Sequence, residues 1–272
     1  MDWVLLAIVL GLYLVAAGGF VAYLATARER LRTLAPQLLA AAAVIHGLEI
    51  AGRSFMLGHI AVATFEEGLS FLAFSLAILY LLLDRTNALA VLGAVITPLI
   101  AMLMAMSLVV SSGATELPPA LRSAWLPVHV TLAFLGNAVF ALAFAASLVY
   151  VFEDNRLKAK RPGRRRLLPS LERLDDLNHR LLSWGFPLLT LGIVSGAIWA
   201  HFAWGRFWSW EAREIWSGVT WSLYAVLLHG RSVGWRGRRA ATLTIFGFAV
   251  LLVSFVSVNV FFPGRHGGSF GS

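Results

Sequence analysis

Eight long apolar stretches run through the sequence and constrain the fold more than any other feature. A helix needs about 20 apolar residues to cross the roughly 30 Å hydrocarbon core of a bilayer, and most of the chain lies in such stretches. Charged residues make up 13 % of the chain, too few for the surface of a soluble domain of this size. The sequence therefore predicts an all-α integral membrane protein, a bundle of eight transmembrane helices forming one domain over residues 1–272. The predicted spans are 4–24, 34–51, 68–83, 88–110, 127–152, 183–203, 215–228 and 240–262.

The basic residues are divided unequally between the two sides of this bundle. Of the 22 Lys and Arg residues, 17 fall in loops on one side, which the positive-inside rule identifies as cytoplasmic. Both termini, and the connection between the sixth and seventh spans, then face outward. We expect a multi-pass protein of the bacterial inner membrane with that connection facing the periplasm or the exterior. The five outer basic residues are Arg53, Arg122, Arg206, Arg213 and Arg265.

The chain contains no cysteine, so it can form no disulfide and has no CxxCH haem-attachment motif. Any thiol in its chemistry belongs to a partner. The inner basic run KAKRPGRRR (158–166) lacks the interleaved aromatic residues of a nucleic-acid surface, so we expect no nucleic acid. This run is expected to contact anionic lipid headgroups of the bilayer, and residues 171–180 are predicted to form a short surface helix.

Five of the ten tryptophans lie within residues 204–221, WGRFWSWEAREIWSGVTW, here called the tryptophan segment. An interfacial aromatic belt would spread over all the helix ends, whereas this cluster favours a flat apolar platform for a planar aromatic ligand. Arg206 and Arg213 could bind carboxylates of such a ligand, or pair instead with Glu211 or Glu214.

Four histidines are candidate metal ligands. His129 and His266 lie at the outer ends of their spans, level with the tryptophan segment, and two imidazoles commonly hold haem iron; the alternative is that both are solvated. His46 lies about 17 Å along the second span. There it is either functional or bonded to Glu49 or the backbone to lock helix packing. His229 lies nearer the inner surface, where an interfacial role is equally reasonable.

The tryptophan segment resembles the tryptophan-rich WWD motif of the cytochrome c assembly family, membrane haem-handling proteins of the CcsA, CcmC and HemX-like type. The usual form is W-G-x-x-W-x-W-D-x-x-E-x-W, and Glu211 stands in place of the aspartate. Similar stretches are WLPVHVTLAFLGNAVFALAF, LNHRLLSWGFPLLTLGIVSGAIWA, YAVLLHGR and VNVFFPGRH. The resemblance is strongest over 125–266, and the compact length is most like the HemX-like branch. The positions that match the motif are Trp204, Gly205, Trp208, Trp210, Glu214 and Trp216.

The resemblance implies that haem b is held non-covalently, with His129 and His266 as axial ligands at the outer face. It implies further that His229, and by position His46, ligate haem within the membrane. The implied binding surface comprises the motif residues together with Glu211, Trp221, Arg206 and Arg213. The implied partners are haem, apocytochrome c and a separate membrane protein carrying a periplasmic domain.

The first hypothesis is therefore haem transport and presentation at the outer face for cytochrome c biogenesis. In this role the chain is at most the haem-presenting subunit of a cytochrome c haem lyase or synthase, because the thioether bond forms between haem and the apocytochrome. A second hypothesis is a membrane regulator that senses haem and adjusts its biosynthesis. A third is a solute or ion transporter with His46, Glu49 and Arg53 as its polar path.

Overall fold

A computed structural model describes residues 3–87, 89–110, 123, 125–160 and 168–261. These residues form eight α-helices and no strand. The all-α membrane bundle expected from the apolar stretches is confirmed. The helices are α1 (Trp3–Thr26), α2 (Glu29–Leu57), α3 (Phe65–Asn87), α4 (Ala90–Val109), α5 (Trp125–Lys158), α6 (Leu171–Trp204), α7 (Ala212–Ser232) and α8 (Arg238–Phe261).

Seven of the eight helices in this part of the chain are long and apolar enough to cross a membrane; α7 is the exception. The seventh predicted span is a helix, but Arg213 and Glu214 lie in its first turn and His229 and Arg231 in its last. The helix has 21 residues, and because its first and last turns carry these charged and polar residues, the apolar stretch between them is short. Contacts with α6 and α8 nevertheless place α7 within the bundle.

Residues 171–180 do not form the separate surface helix that the sequence suggested. They are the first turns of α6, a continuous helix of 34 residues. Leu174, Leu177 and Leu181 are buried, so the apolar stripe of the membrane span continues into this segment. Ser170 caps the helix, its hydroxyl oxygen accepting a hydrogen bond from the backbone N–H of Arg173 at 3.3 Å.

Helix α5 is central and packs against α3, α4, α6 and α8. Its contact with α6 is close because two glycines remove side chains at the crossing. A β-carbon on Gly136 would lie 3.1 Å from the backbone nitrogen of Leu189, and one on Gly192 would lie 3.2 Å from Cα of Ala133. Small residues of this kind allow the backbones of two helices to approach each other closely within a membrane. The α5–α6 pair thus supports side chains at the end of the bundle that carries the tryptophan segment.

Hydrogen bonds and ion pairs join the helices at the arginine-rich end of the bundle. Asn178 of α6 donates to Ser147 Oγ of α5 at 2.6 Å and to Thr244 Oγ1 of α8 at 3.1 Å. Asp175 of α6 binds Arg231 of α7 at 2.6 Å. Polar side chains inside a membrane bundle require such partners, and these contacts fix α5, α6, α7 and α8 relative to one another.

Candidate functional site

A cavity of about 290 Å³ lies at the end of the bundle that carries the tryptophan segment. Its walls are formed by the α2–α3 connection, the start of α5, the end of α6, residues 207–208, the start of α7 and the later part of α8. The structure therefore brings α5 and α8 to the connection between α6 and α7. A single ligand at this place can contact all of these elements.

His129 of α5 lines this cavity and is held in a defined orientation. Its Nδ1 lies 2.8 Å from the carbonyl oxygen of Gly192 on α6. A carbonyl only accepts, so Nδ1 carries the proton and donates. In the neutral ring Nε2 then carries a lone pair, and no described residue hydrogen-bonds it. The imidazole also stacks on Trp199, with centroids 6.2 Å apart and planes 6° apart.

Trp208 is the tryptophan of the segment that lines the cavity. Its indole Nε1 is buried and has no hydrogen-bond partner among the described residues, and the same holds for the neighbouring Ser209 Oγ. A buried donor without an acceptor costs roughly 1–3 kcal/mol. Such an N–H can be satisfied by an acceptor on a bound ligand, so this wall is suited to a ligand with polar as well as apolar parts.

The tryptophans do not form the single flat platform expected from their clustering. The rings of Trp208 and Trp210 are nearly perpendicular, at 85°, and those of Trp199 and Trp204 meet at 69°. Trp210 is 76 % exposed, adopts a left-handed φ of 60° and lies outside the cavity wall. Trp221 lies farther along α7 and donates from Nε1 to Thr190 Oγ1 at 2.9 Å. Trp216 also lies outside the cavity wall.

The two acids of the segment shape its backbone. Glu211 is the N-cap of α7, and it forms a reciprocal capping box with Glu214. Glu214 Oε2 accepts from the backbone N–H groups of Ser209 at 2.7 Å and Glu211 at 3.3 Å. Gly205 ends α6 with a left-handed φ of 73°, a conformation that glycine adopts without strain. These residues hold the connection that closes one side of the cavity.

The two arginines of the segment differ in position. Arg213 lines the cavity beside Glu214, whereas Arg206 lies outside the cavity wall; both side chains are exposed. Only Arg213 is therefore placed to meet an acidic group of a ligand inside the cavity.

His46 is fully buried among α1, α2 and α3, away from the cavity. Its Nδ1 pairs with the hydroxyl of Tyr13 at 2.9 Å and its Nε2 with Ser70 Oγ at 2.8 Å. Glu49 is not its partner. Because both ring nitrogens are hydrogen-bonded, this arrangement favours a role in helix packing, and the role of His46 as an iron ligand stays a prediction.

The other predicted ligands are not assembled with His129. His229 is exposed near the end of α7, and 17 residues of helix rise place it about 25 Å from Ala212, where α7 begins beside the cavity. One porphyrin cannot contact both His229 and the cavity at the start of α7. His266 lies outside the described residues. Arg53, part of the suggested transport path, is engaged with Glu66 at 2.6 Å and Glu67 at 3.1 Å.

Several residues of the site were not anticipated from the sequence. Gly192 and Gly196 stand four residues apart on α6, and that spacing of small residues is a recognisable signal for close helix approach. Trp199 and Phe134 also line the cavity. Trp199 gave no sequence signal beyond its residue type.

The fold and this cavity define the class, a multi-pass helical membrane protein with an aromatic-lined site at one end of its bundle. The sequence profile described as Cytochrome C assembly protein matches residues 62–266. The chain belongs to this family, as its motifs indicated.

Two curated relatives agree with this assignment. The cytochrome c biogenesis protein CcsA of Prochlorococcus marinus is 31 % identical over 258 residues, covering 84 % of this chain and 82 % of that protein. CcsA of Chlamydomonas reinhardtii is 34 % identical over 221 residues, covering 78 % of this chain and 62 % of that protein. A role in cytochrome c assembly follows from family membership. The HemX-like branch, the bacterial inner membrane and the outward orientation of the cavity stay predictions.

The solved structure of the cytochrome c haem lyase CcmF has the same fold. The two structures superpose with a TM-score of 0.68 at 15 % identity. The match covers 92 % of this chain and 45 % of CcmF, so this chain spans less than half the length of that protein.

Proposed function

We propose that this chain binds haem as cargo in the cavity beside the tryptophan segment and presents it for attachment to apocytochrome c. The observation that carries the proposal is His129, whose Nδ1 donates to the Gly192 carbonyl, 2.8 Å away, while Nε2 carries the lone pair. A histidine oriented in this way through its second nitrogen is the usual form of a metal-binding imidazole.

The cavity wall suits the other parts of a haem molecule. Trp199, Trp208 and Phe134 supply apolar and aromatic surface for a porphyrin ring. Arg213 lines the same cavity and can bind a propionate carboxylate. The volume of about 290 Å³ is at the lower end of the range for small-molecule sites, so a porphyrin would extend beyond the present wall.

The second axial ligand in this proposal is His266. Leu251, Ser254 and Phe255 of α8 line the cavity, so the chain that follows α8 leaves from the same end of the bundle. The family match also extends to residue 266. The exposed part of haem, or the partner that receives it, is proposed to contact Arg206, Trp204, Trp210, Trp216 and Trp221.

The chain's own groups would bind, orient and shield the haem, while the thiols come from the apocytochrome and a separate membrane partner would supply a periplasmic domain.

Whether the presented haem is transferred or sensed is a separate question. Deletion of the gene distinguishes the two: loss of c-type cytochromes supports transfer, whereas intact cytochromes with altered levels of a haem-biosynthetic enzyme support sensing.

Absorption spectroscopy of the purified protein with added haem tests the site. We expect a bis-histidine Soret spectrum for the unaltered protein and its loss in the double variant His129→Ala, His266→Ala. His179→Ala is the matched control because His179 is exposed near the other end of α6. An unchanged spectrum in the double variant would show that the axial assignment is wrong.

A further inference from the structure

A second cavity, of about 580 Å³, lies between α7 and α8 at the end of the bundle opposite the haem site. We call it the α7–α8 groove. Leu223, Val226, Leu243 and Phe246 form apolar walls. Val226 and Phe246 are 58 % and 57 % exposed, so the groove opens toward the periphery of the bundle, where the bilayer lies. An apolar groove with this opening is accessible to an acyl chain.

Positive charge lines the polar end of the groove. The guanidinium of Arg239 lies 4.0 Å from the ring centroid of Trp235, a cation–π contact. Arg238 also lines the groove, but Asp154 neutralises it at 2.7 Å. Arg239 forms no ion pair with the described residues. Since arginine and tryptophan both favour the headgroup level of a bilayer, this end is complementary to an anionic headgroup.

Tyr224 provides a second polar contact point. It lines the groove, its side chain is fully buried, and its hydroxyl has no hydrogen-bond partner among the described residues. The ring is fixed by stacking on Phe140, so the hydroxyl cannot easily turn to solvent. An ester carbonyl below a headgroup could accept this hydrogen bond.

The composition of the groove distinguishes it from the haem site. No histidine is among its described lining residues, so it presents no imidazole to iron. Arg239 selects for an anionic group, and the apolar walls select for an aliphatic chain. We propose that the α7–α8 groove binds one anionic phospholipid, with the phosphate on Arg239 and an acyl chain between α7 and α8. This inference does not rest on haem binding.

Native mass spectrometry of the full chain released from detergent tests the proposal, with palmitoyl-oleoyl phosphatidylglycerol and the matching zwitterionic phosphatidylcholine as probes. Arg239→Gln removes the headgroup contact, and Arg236→Gln is its control because Arg236 is an exposed arginine of the same connection outside the groove. Gly247→Leu fills the groove, since a β-carbon at Gly247 meets only Tyr224, at 3.6 Å or more.

We expect one retained phosphatidylglycerol and weaker retention of phosphatidylcholine. Arg239→Gln should weaken phosphatidylglycerol binding about fivefold while Arg236→Gln leaves it unchanged. Gly247→Leu should abolish the bound lipid with helix content intact by circular dichroism. Equal retention of the two lipids, or equal effects of the two arginine variants, overturns the proposal. A haem Soret band lost only in Gly247→Leu would overturn it also, because the groove would then hold a porphyrin.

Discussion

Gly196 of α6 lies directly against the imidazole of His129 on α5. A β-carbon on Gly196 would stand 2.7 Å from Cε1 and 2.8 Å from Nδ1 of His129, closer than β-carbons approach other atoms. The imidazole therefore occupies the space that a side chain at position 196 would need. Gly192, one turn earlier, supplies the carbonyl that the same ring binds.

Gly196→Ala should consequently displace the His129 ring and break its hydrogen bond to Gly192. We expect haem affinity to fall about tenfold or more, because loss of the hydrogen bond that orients a metal-binding histidine usually weakens binding by this much. The protein should also lose about 1–3 kcal/mol of unfolding free energy through overpacking. Haem titration and thermal unfolding measure the two effects.

The control for this substitution is Gly218→Ala on α7, where an added β-carbon has no neighbour within 4 Å. This variant should bind haem normally and gain up to about 1 kcal/mol from helix propensity. Haem binding by Gly196→Ala that equals the control would contradict the role of His129.

The bundle and the position of His129 follow from the sequence because both depend on local pattern. Apolar stretches determine the helices, and a histidine at the start of a span lies at that end of the bundle. The directions of the tryptophan rings do not follow, because they depend on backbone details such as the left-handed φ of Trp210. The partners of His46 were missed because Tyr13 and Ser70 come from two other helices.

Glu214→Ala should loosen the tryptophan segment. The carboxylate accepts from the backbone N–H groups of Ser209 and Glu211, and its loss should cost about 1 kcal/mol, as for other capping interactions. We expect faster hydrogen–deuterium exchange over residues 205–211, and partial rescue by Glu214→Gln, which retains an acceptor. Glu172→Ala changes an acid in the first turn of α6, away from this segment, and should leave this exchange unchanged. Identical exchange in the two alanine variants would refute the capping role.

Tyr13→Phe tests whether His46 locks helix packing. The substitution removes the hydrogen bond to His46 Nδ1 and should destabilise the protein by about 0.5–1.5 kcal/mol, measured by thermal unfolding in detergent. His46→Ala should destabilise it further and leave the Soret spectrum unchanged. Tyr23→Phe, ten residues farther along α1, is the matched control. A Soret band that disappears in His46→Ala would instead support iron ligation within the membrane.

Asn178→Ala should weaken the joint between α5, α6 and α8. Its side-chain amide donates to Ser147 and Thr244, each of which also donates to a backbone carbonyl of its own helix, at 2.8 Å and 3.0 Å. Both hydroxyls therefore remain bonded when the amide is removed, and the expected loss is only about 1–2 kcal/mol. Unfolding by sodium dodecyl sulfate titration measures it.

Ser183→Ala is the control for this polar joint. Ser183 is exposed, and its hydroxyl donates to the His179 carbonyl of its own helix, so its removal should change stability by less than about 0.5 kcal/mol. The stability of Asn178→Leu should lie between those of Asn178→Ala and Ser183→Ala, because leucine restores packing volume without the hydrogen bonds. If Asn178→Ala unfolds at the same detergent fraction as Ser183→Ala, the hydrogen bonds of Asn178 do not hold α8 against the α5–α6 pair. The position of α8 beside the cavity would then depend on apolar packing and on the ion pair of Arg238 with Asp154.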